Sequence, residues 1–138
     1  SKGVLRGLHY QLAPAAQTKL VRVIQGSVLD VAVDIRKDSP TFGEYVAVKL
    51  TSENKKQLLV PRGFAHGFIV LEDDTTFAYK VDNYYSPQND RGISFDDKDL
   101  NIDWILNTTE LNLSAKDKVQ VNLCDAKDIF EYGVNYYA

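Results

Sequence analysis

An all-β fold, a sandwich or a barrel, is predicted by three features of the sequence. Short apolar runs rich in valine, isoleucine and leucine recur along the first eighty residues, separated at regular intervals by glycine, proline, asparagine, aspartate and serine. The pair Gly26-Ser27 joins two such runs with a tight turn. In Val28 to Ile35 the pattern has a period of two, with Leu29, Val31, Val33 and Ile35 on one face and Val28, Asp30, Ala32 and Asp34 on the other.

The predicted strands follow in order. Val4 to Gln11 is the first, and a loop around Pro14 ends it. Lys19 to Gln25 turns at Gly26-Ser27 into Val28 to Ile35. Asp38-Ser39-Pro40 and Gly43 break that strand, and Glu44 to Leu50 resumes the pattern. A polar turn over Ser52 to Lys55 precedes Gln57 to Val60. Pro61-Arg62-Gly63 leads into Ala65 to Leu71, and Glu72-Asp73-Asp74 turns the chain into Thr75 to Val81. Beyond Tyr84 the pattern loosens around Pro87, Asn89 and Gly92. Ser114 to Lys118, with Ser114 as a cap, and Ala126 to Tyr132 are predicted as short helices. No repeat, low-complexity tract or linker divides the chain, so residues 1–138 are expected to form one domain.

Bulk properties narrow the function. A length of 138 residues suffices for a core without disulfides, and 44% hydrophobic with 25% charged residues is ordinary for a globular protein. A net charge of −3 and a pI near 5.3 lack the basic face that nucleic-acid binding needs. No run is long enough to span a membrane, and the single Cys124 fits a reducing cytosol. The sequence starts at Ser1 and contains no methionine, so a processed or truncated product is expected.

Both histidines, His9 and His66, lie in glycine-flanked apolar strands. Histidine titrates closest to neutrality, so the pair raises proton transfer against the plainer alternative of two core imidazoles satisfied by backbone carbonyls. Alternation groups His66 with Phe68 and Val70, and Tyr79 with Phe77 and Val81, so one cavity lined by both strands would hold an imidazole, a phenol and several rings. Asp30 either lies on a wet strand face or points into such a cavity. Arg6 and His9 are three apart and reach a common site only if Gly7 bends or bulges the strand. On their own, Lys19 reads as a solvated strand-end lysine and Asp117 as a solvent-facing carboxylate. Two histidines with no His-x-His pair make a metal site a poor fit. Signatures of acyl or phosphoryl nucleophiles and of dinucleotide loops are missing. Metal-free acid–base chemistry is the enzymatic reading that remains.

The strings Gly3-Val4-Leu5-Arg6-Gly7-Leu8-His9-Tyr10-Gln11, Gln17-Thr18-Lys19-Leu20-Val21-Arg22-Val23, Gly26 to Arg36, Ser39-Pro40-Thr41-Phe42-Gly43, Pro61-Arg62-Gly63-Phe64-Ala65-His66-Gly67-Phe68, Tyr79-Lys80 and Asn83-Tyr84-Tyr85-Ser86-Pro87 closely resemble the dTDP-4-dehydrorhamnose 3,5-epimerases, which are RmlC-like cupins. The resemblance runs to about Asp117. It implies a double-stranded β-helix (jelly roll), normally a homodimer, that uses no metal or cofactor. It further implies inversion of C3 and C5 of dTDP-4-keto-6-deoxyglucose to give dTDP-4-dehydro-L-rhamnose in the cytoplasm. On that basis His9 is the general base, Asp117 the carboxylate orienting it, Tyr79 the acid on the opposite face of the sugar and Lys19 the cation near the ketone oxygen. His66 pairs with Asp30, Arg6 contacts substrate and Tyr85 lies near the nucleotide. A neighbouring carboxylate is expected to fix the tautomer of His9 and to raise its pKa by roughly 1–3 units.

Two departures from the family pattern stand out. A few dozen residues that precede Gly-Val-Leu-Arg-Gly in relatives are expected to be missing, and Trp104-Ile105 stands where Trp-Pro is common. A 3- or 5-only epimerase and a non-catalytic sugar-nucleotide-binding jelly roll are the alternatives.

Overall fold

The computed structural model describes the backbone of residues 1–138 and every side chain except that at position 108. Its strands are β1 (Val4–Gln11), β2 (Lys19–Gln25), β3 (Ser27–Asp34), β4 (Arg36–Lys37), β5 (Tyr45–Thr51), β6 (Gln57–Val60), β7 (Phe64–Val70), β8 (Thr76–Val81), β9 (Asp90–Gly92), β10 (Asn112–Leu113) and β11 (Phe130–Glu131). The larger sheet runs β10-β1-β7-β3-β5, with β9 also on β1, and a three-stranded sheet runs β6-β2-β8. The strands from β1 to β8 match the predicted runs to within a residue, apart from the two-residue β4.

The two sheets face each other. Val21 and Val23 of β2 pack against Val28, Leu50 and Val70 of the larger sheet, closing one end of the space between them. The opposite face of the larger sheet carries Leu5, Leu29, Val31, Val33 and Ile69. Ile93, Leu100, Trp104, Leu123 and Phe130 from the second half of the chain cover it. Each fully buried Leu or Ile here contributes about 1.5–3 kcal/mol.

The wet-face alternative for the third strand is corrected, since every residue of β3 is buried: the smaller sheet and His66 cover the face with Val28 and Asp30, and the layer from the second half of the chain covers the face with Leu29. Asp34 is met by donors close in sequence, whereas Asp30 pairs with His66 through Oδ1 and leaves its buried Oδ2 without a hydrogen-bond partner among the described residues. Asp34 accepts from Arg36 Nε and Nη2 at 2.9 Å each, from Ser39 Oγ at 2.6 Å and from Thr41 Oγ1 at 2.5 Å. Burial alone would raise its pKa, but these donors hold the carboxyl well below the usual carboxylate range. The resulting stability is present above the unfolded pKa of about 4 and fades as pH falls below it. Asp34→Asn is therefore expected to cost about 1.5–3 kcal/mol at pH 7, since the Arg36 left behind is partly exposed. It should also flatten the loss of stability below pH ~4, checked by urea unfolding at pH 7 and pH 3. An acid limb that stays as steep in Asp34→Asn would contradict this assignment.

The C-terminal helical content is limited to 3-10 turns, among them Asp117–Val119 and Leu123–Asp125. Ser114 Oγ accepts the backbone N–H of Asp117, so this serine does tie the turn. Ala126 to Tyr132 is not helical. Phe130 and Glu131 pair in parallel with Arg36 and Lys37, and the Phe130 ring lies 5.9 Å from that of Tyr10. Tertiary pairing and aromatic burial override the weak helical pattern. No helix among the described residues is long and apolar enough to cross a membrane.

Candidate active site

The site starts from a fault in strand pairing. On β1, Arg6 pairs with Phe68 and His9 with His66, so three steps along β1 match two along β7. One extra residue is inserted, and Arg6 and His9 emerge on the same side. Gly7 carries the distortion at φ +139, where a Cβ would come within 2.6 Å of the Gly67 Cα. Only glycine fits there. The expected bulge is present, and Arg6 and His9 line the same cavity. Arg6 is steadied by Nη1 bonds to the carbonyls of Leu5 at 2.8 Å and Asn112 at 3.1 Å.

The bulge also opens a gap on the outer edge of β1. β10 pairs at Val4 and Leu5, and β9 pairs from His9 to Gln11. Between them the Gly7 N–H donates to Asp117 Oδ2 at 3.3 Å, while Asp117 Oδ1 lies 2.5 Å from His9 Nε2. A buried N–H that has lost its strand partner needs another acceptor, and this one also orients the imidazole. Asp117 is buried and the His9 side chain is 24% exposed, open on its cavity side. Burial lowers the His9 pKa, and the charge of Asp117 and its hydrogen bond only partly offset that. The net direction is opposite to the rise expected from the carboxylate alone, because desolvation of the imidazolium outweighs the pairing. That direction favours the neutral imidazole.

His66 and Asp30 form a second pair, with Nε2 2.7 Å from Oδ1, both buried. Asp30 lies on the inward face of β3, but His66 lines the cavity and Asp30 stands behind it, contacting the space only through the imidazole. Lys19, at the start of β2, lines the same cavity. Burial lowers its pKa, opposed by the charges of Asp30 and Asp90. It is a half-buried cavity residue, not a solvated strand-end lysine.

The facing wall comes from β8. Phe77, Tyr79 and Val81 point inward, and a ladder of rings links Phe68 to Phe77 at 4.6 Å and Phe77 to Tyr79 at 6.2 Å. Tyr79 is 60% exposed, with its ring in the open part of the cleft. Tyr85 lies at the mouth, two-thirds exposed. The cavity measures about 840 Å³, large enough for a nucleotide sugar, and it contains His9, Lys19, His66, Phe68, Tyr79 and Arg6 together.

Sequence reasoning missed a charged pair in the lining. Lys116 and Asp90 line the cavity and form an ion pair. Lys116 precedes Asp117, and Asp90 begins the short β9, so adjacency to a candidate carboxylate was the available signal. Among the described residues, no three His, Cys, Asp or Glu side chains converge where they could hold a metal ion.

Comparison with known proteins adds a further finding. A family model described as dTDP-4-dehydrorhamnose 3,5-epimerase matches residues 1–125. The chain is 62% identical over 104 residues to a dTDP-4-dehydrorhamnose 3,5-epimerase from Shigella flexneri, covering 75% of this chain and 58% of that protein. It is 50% identical over 130 residues to one from Sinorhizobium fredii, covering 94% and 66%. The chain thus spans about three-fifths to two-thirds of the length of these relatives. Its fold superposes with a TM-score of 0.90 and 48% identity on the crystal structure of dTDP-6-deoxy-D-glucose-3,5-epimerase RmlC from Legionella pneumophila in complex with dTDP-4-keto-L-rhamnose. That match covers 96% of this chain and 71% of the other.

Proposed function

Since this chain belongs to the dTDP-4-dehydrorhamnose 3,5-epimerase family, we propose that it epimerises a dTDP-4-keto-6-deoxyhexose at C3 and C5 by metal-free proton transfer. The observation that carries this reading is one cavity in which His9, tied to Asp117 at 2.5 Å, and Tyr79 stand on opposing sheets.

A proton alpha to a ketone becomes removable when the charge arriving on oxygen is stabilised in a water-poor site. In this reading His9 takes the proton from carbon, and the C–H electron pair moves into the C4 carbonyl to give an enolate. Lys19 faces the enolate oxygen as the donor, and His66 lines the same cavity. Tyr79 then delivers its phenolic proton to the other face of the carbon and is reprotonated from solvent, while His9 releases its proton to solvent. The sequence repeats at the second carbon. Asp117 holds the imidazole tautomer and Arg6 binds the substrate's charged part. Phe68 and Tyr85 supply apolar contact to sugar and nucleotide, and Asp30 orients His66. Each histidine is tied through Nε2 to a carboxylate, which fixes its tautomer.

Homodimer formation belongs to the same proposal. Leu20, Ile24 and Leu59 are exposed on the outer face of the β6-β2-β8 sheet, with Leu20 and Leu59 paired across it. A cytosolic setting accords with the free, exposed thiol of Cys124.

Solvent deuterium exchange into dTDP-4-keto-6-deoxyglucose, followed by proton NMR, tests the reading. Exchange with inversion at both carbons is expected. Exchange at one carbon would make the protein a single-carbon epimerase, and saturable binding without exchange would make it a binding module. Tyr79→Phe is expected to lower inversion by about 10²–10⁴ while sparing exchange more. Equal loss of both would remove the separate acid role.

A further inference from the structure

The segment after residue 125 lies outside the matched family region, yet it bridges the two walls of the cavity. At one end it is anchored beside the candidate base: the Tyr10 hydroxyl donates to the Asp128 carbonyl at 2.6 Å. Phe130 also packs between the rings of Tyr10 and Tyr136, at 5.9 and 4.8 Å. At the other end it meets Thr18 and Arg62, where the ends of the three strands of the smaller sheet converge. Thr18 precedes β2, Arg62 follows β6 and Asp82 follows β8.

Arg62 is the hub of that convergence. Its Nη2 lies 3.1 Å from Asp82 Oδ2, its Nη1 donates to the Tyr136 carbonyl at 2.6 Å and its guanidinium sits 4.7 Å above the Tyr137 ring. The Arg62 backbone N–H donates to the Tyr137 hydroxyl at 3.0 Å, and that hydroxyl lies 2.7 Å from Thr18 Oγ1. Asp82 Oδ1 in turn accepts the Thr18 N–H at 2.8 Å. The valine core closes the sheets at the far end of β2, whereas here the cavity separates them.

We propose that the C-terminal segment, gripped by Arg62, is a clamp that sets the spacing between the wall bearing His9 and the wall bearing Tyr79. Arg62 is then a positioning residue for the return of the proton. The inference rests on the epimerase reading above. An enolate formed by His9 has two fates: it regains a proton from the same side and leaves as labelled substrate, or it takes one from Tyr79 and inverts. The ratio of exchange to inversion depends on how well Tyr79 is aligned. It is independent of how much enzyme is folded and of how fast the enolate forms.

The test is that ratio, measured in deuterated solvent for the wild type, Arg62→Met and Tyr137→Phe. Arg62→Met is expected to raise it about 3- to 10-fold, well short of the ~10² that a full ångström of misplacement costs. Tyr137→Phe, which keeps the ring over Arg62 and loses only the hydroxyl contacts, should shift it in the same direction by less, and it carries the test if Arg62→Met does not fold. A lower melting temperature in both variants with an unchanged ratio would overturn the clamp and leave a merely structural tail. A wild-type protein with neither exchange nor inversion would instead overturn the epimerase reading, and the clamp's role with it.

Discussion

His9→Ala is expected to abolish deuterium exchange at both C3 and C5, a loss of at least about 10²–10⁴ in rate, because it removes the proposed base for both carbons. Binding of dTDP should persist, since the cavity wall and Arg6 are retained. The wild-type pH profile is part of the same expectation. Burial lowers the His9 pKa, so kcat/KM should stay level from pH 8 down past the ordinary imidazole value of about 6.5 and fall only below it. An acid limb above pH 7, or wild-type exchange in His9→Ala, would remove His9 from the mechanism.

Gly7→Ala should damage both stability and catalysis. A Cβ at this position meets Gly67 Cα at 2.6 Å and the His66 carbonyl at 3.1 Å, both backbone atoms that cannot swing aside. The left-handed φ adds its own strain for any side chain, giving a total of roughly 2–6 kcal/mol. The bulge that relaxes to relieve this is the one that turns His9 toward the cavity and presents the Gly7 N–H to Asp117. The expected result is a lower urea midpoint together with exchange reduced by more than the unfolded fraction explains. Residual folded protein with full activity would show that the bulge does not set the imidazole. Gly67→Ala offers a milder comparison, since its Cβ would crowd the Arg6 carbonyl at 2.9 Å.

What could be read from the sequence divides along physical lines. The long strands were legible because a period of two needs only the strand itself to reveal it, whereas the bulge at Gly7 was only the condition under which Arg6 and His9 could share a site. The two- and three-residue strands β4, β9, β10 and β11 were not foreseen, since so few residues carry no periodicity and form only where a partner edge exists. The wet-face alternative for β3 failed because its carboxylates are met by His66 and Arg36, and the chain after Tyr84 seals its other face. Lys19 and Asp117 read as ordinary surface groups on local pattern. Only resemblance singled them out, and the contact of Asp117 with His9 spans 108 residues. Lys116 and Asp90 escaped both approaches.

The filled gap on β1 couples two processes that could have been separate. His9 belongs to an early strand, whereas the oxygen that steadies it comes from a turn near the end of the chain, threaded between β9 and β10. A half-assembled jelly roll would already present the imidazole to solvent, but as a freely tautomerising ring with no anion behind it. In the proposed reaction the base would gain its fixed tautomer only with the segment carrying Asp117 in place, so the state of this one ring would report that docking.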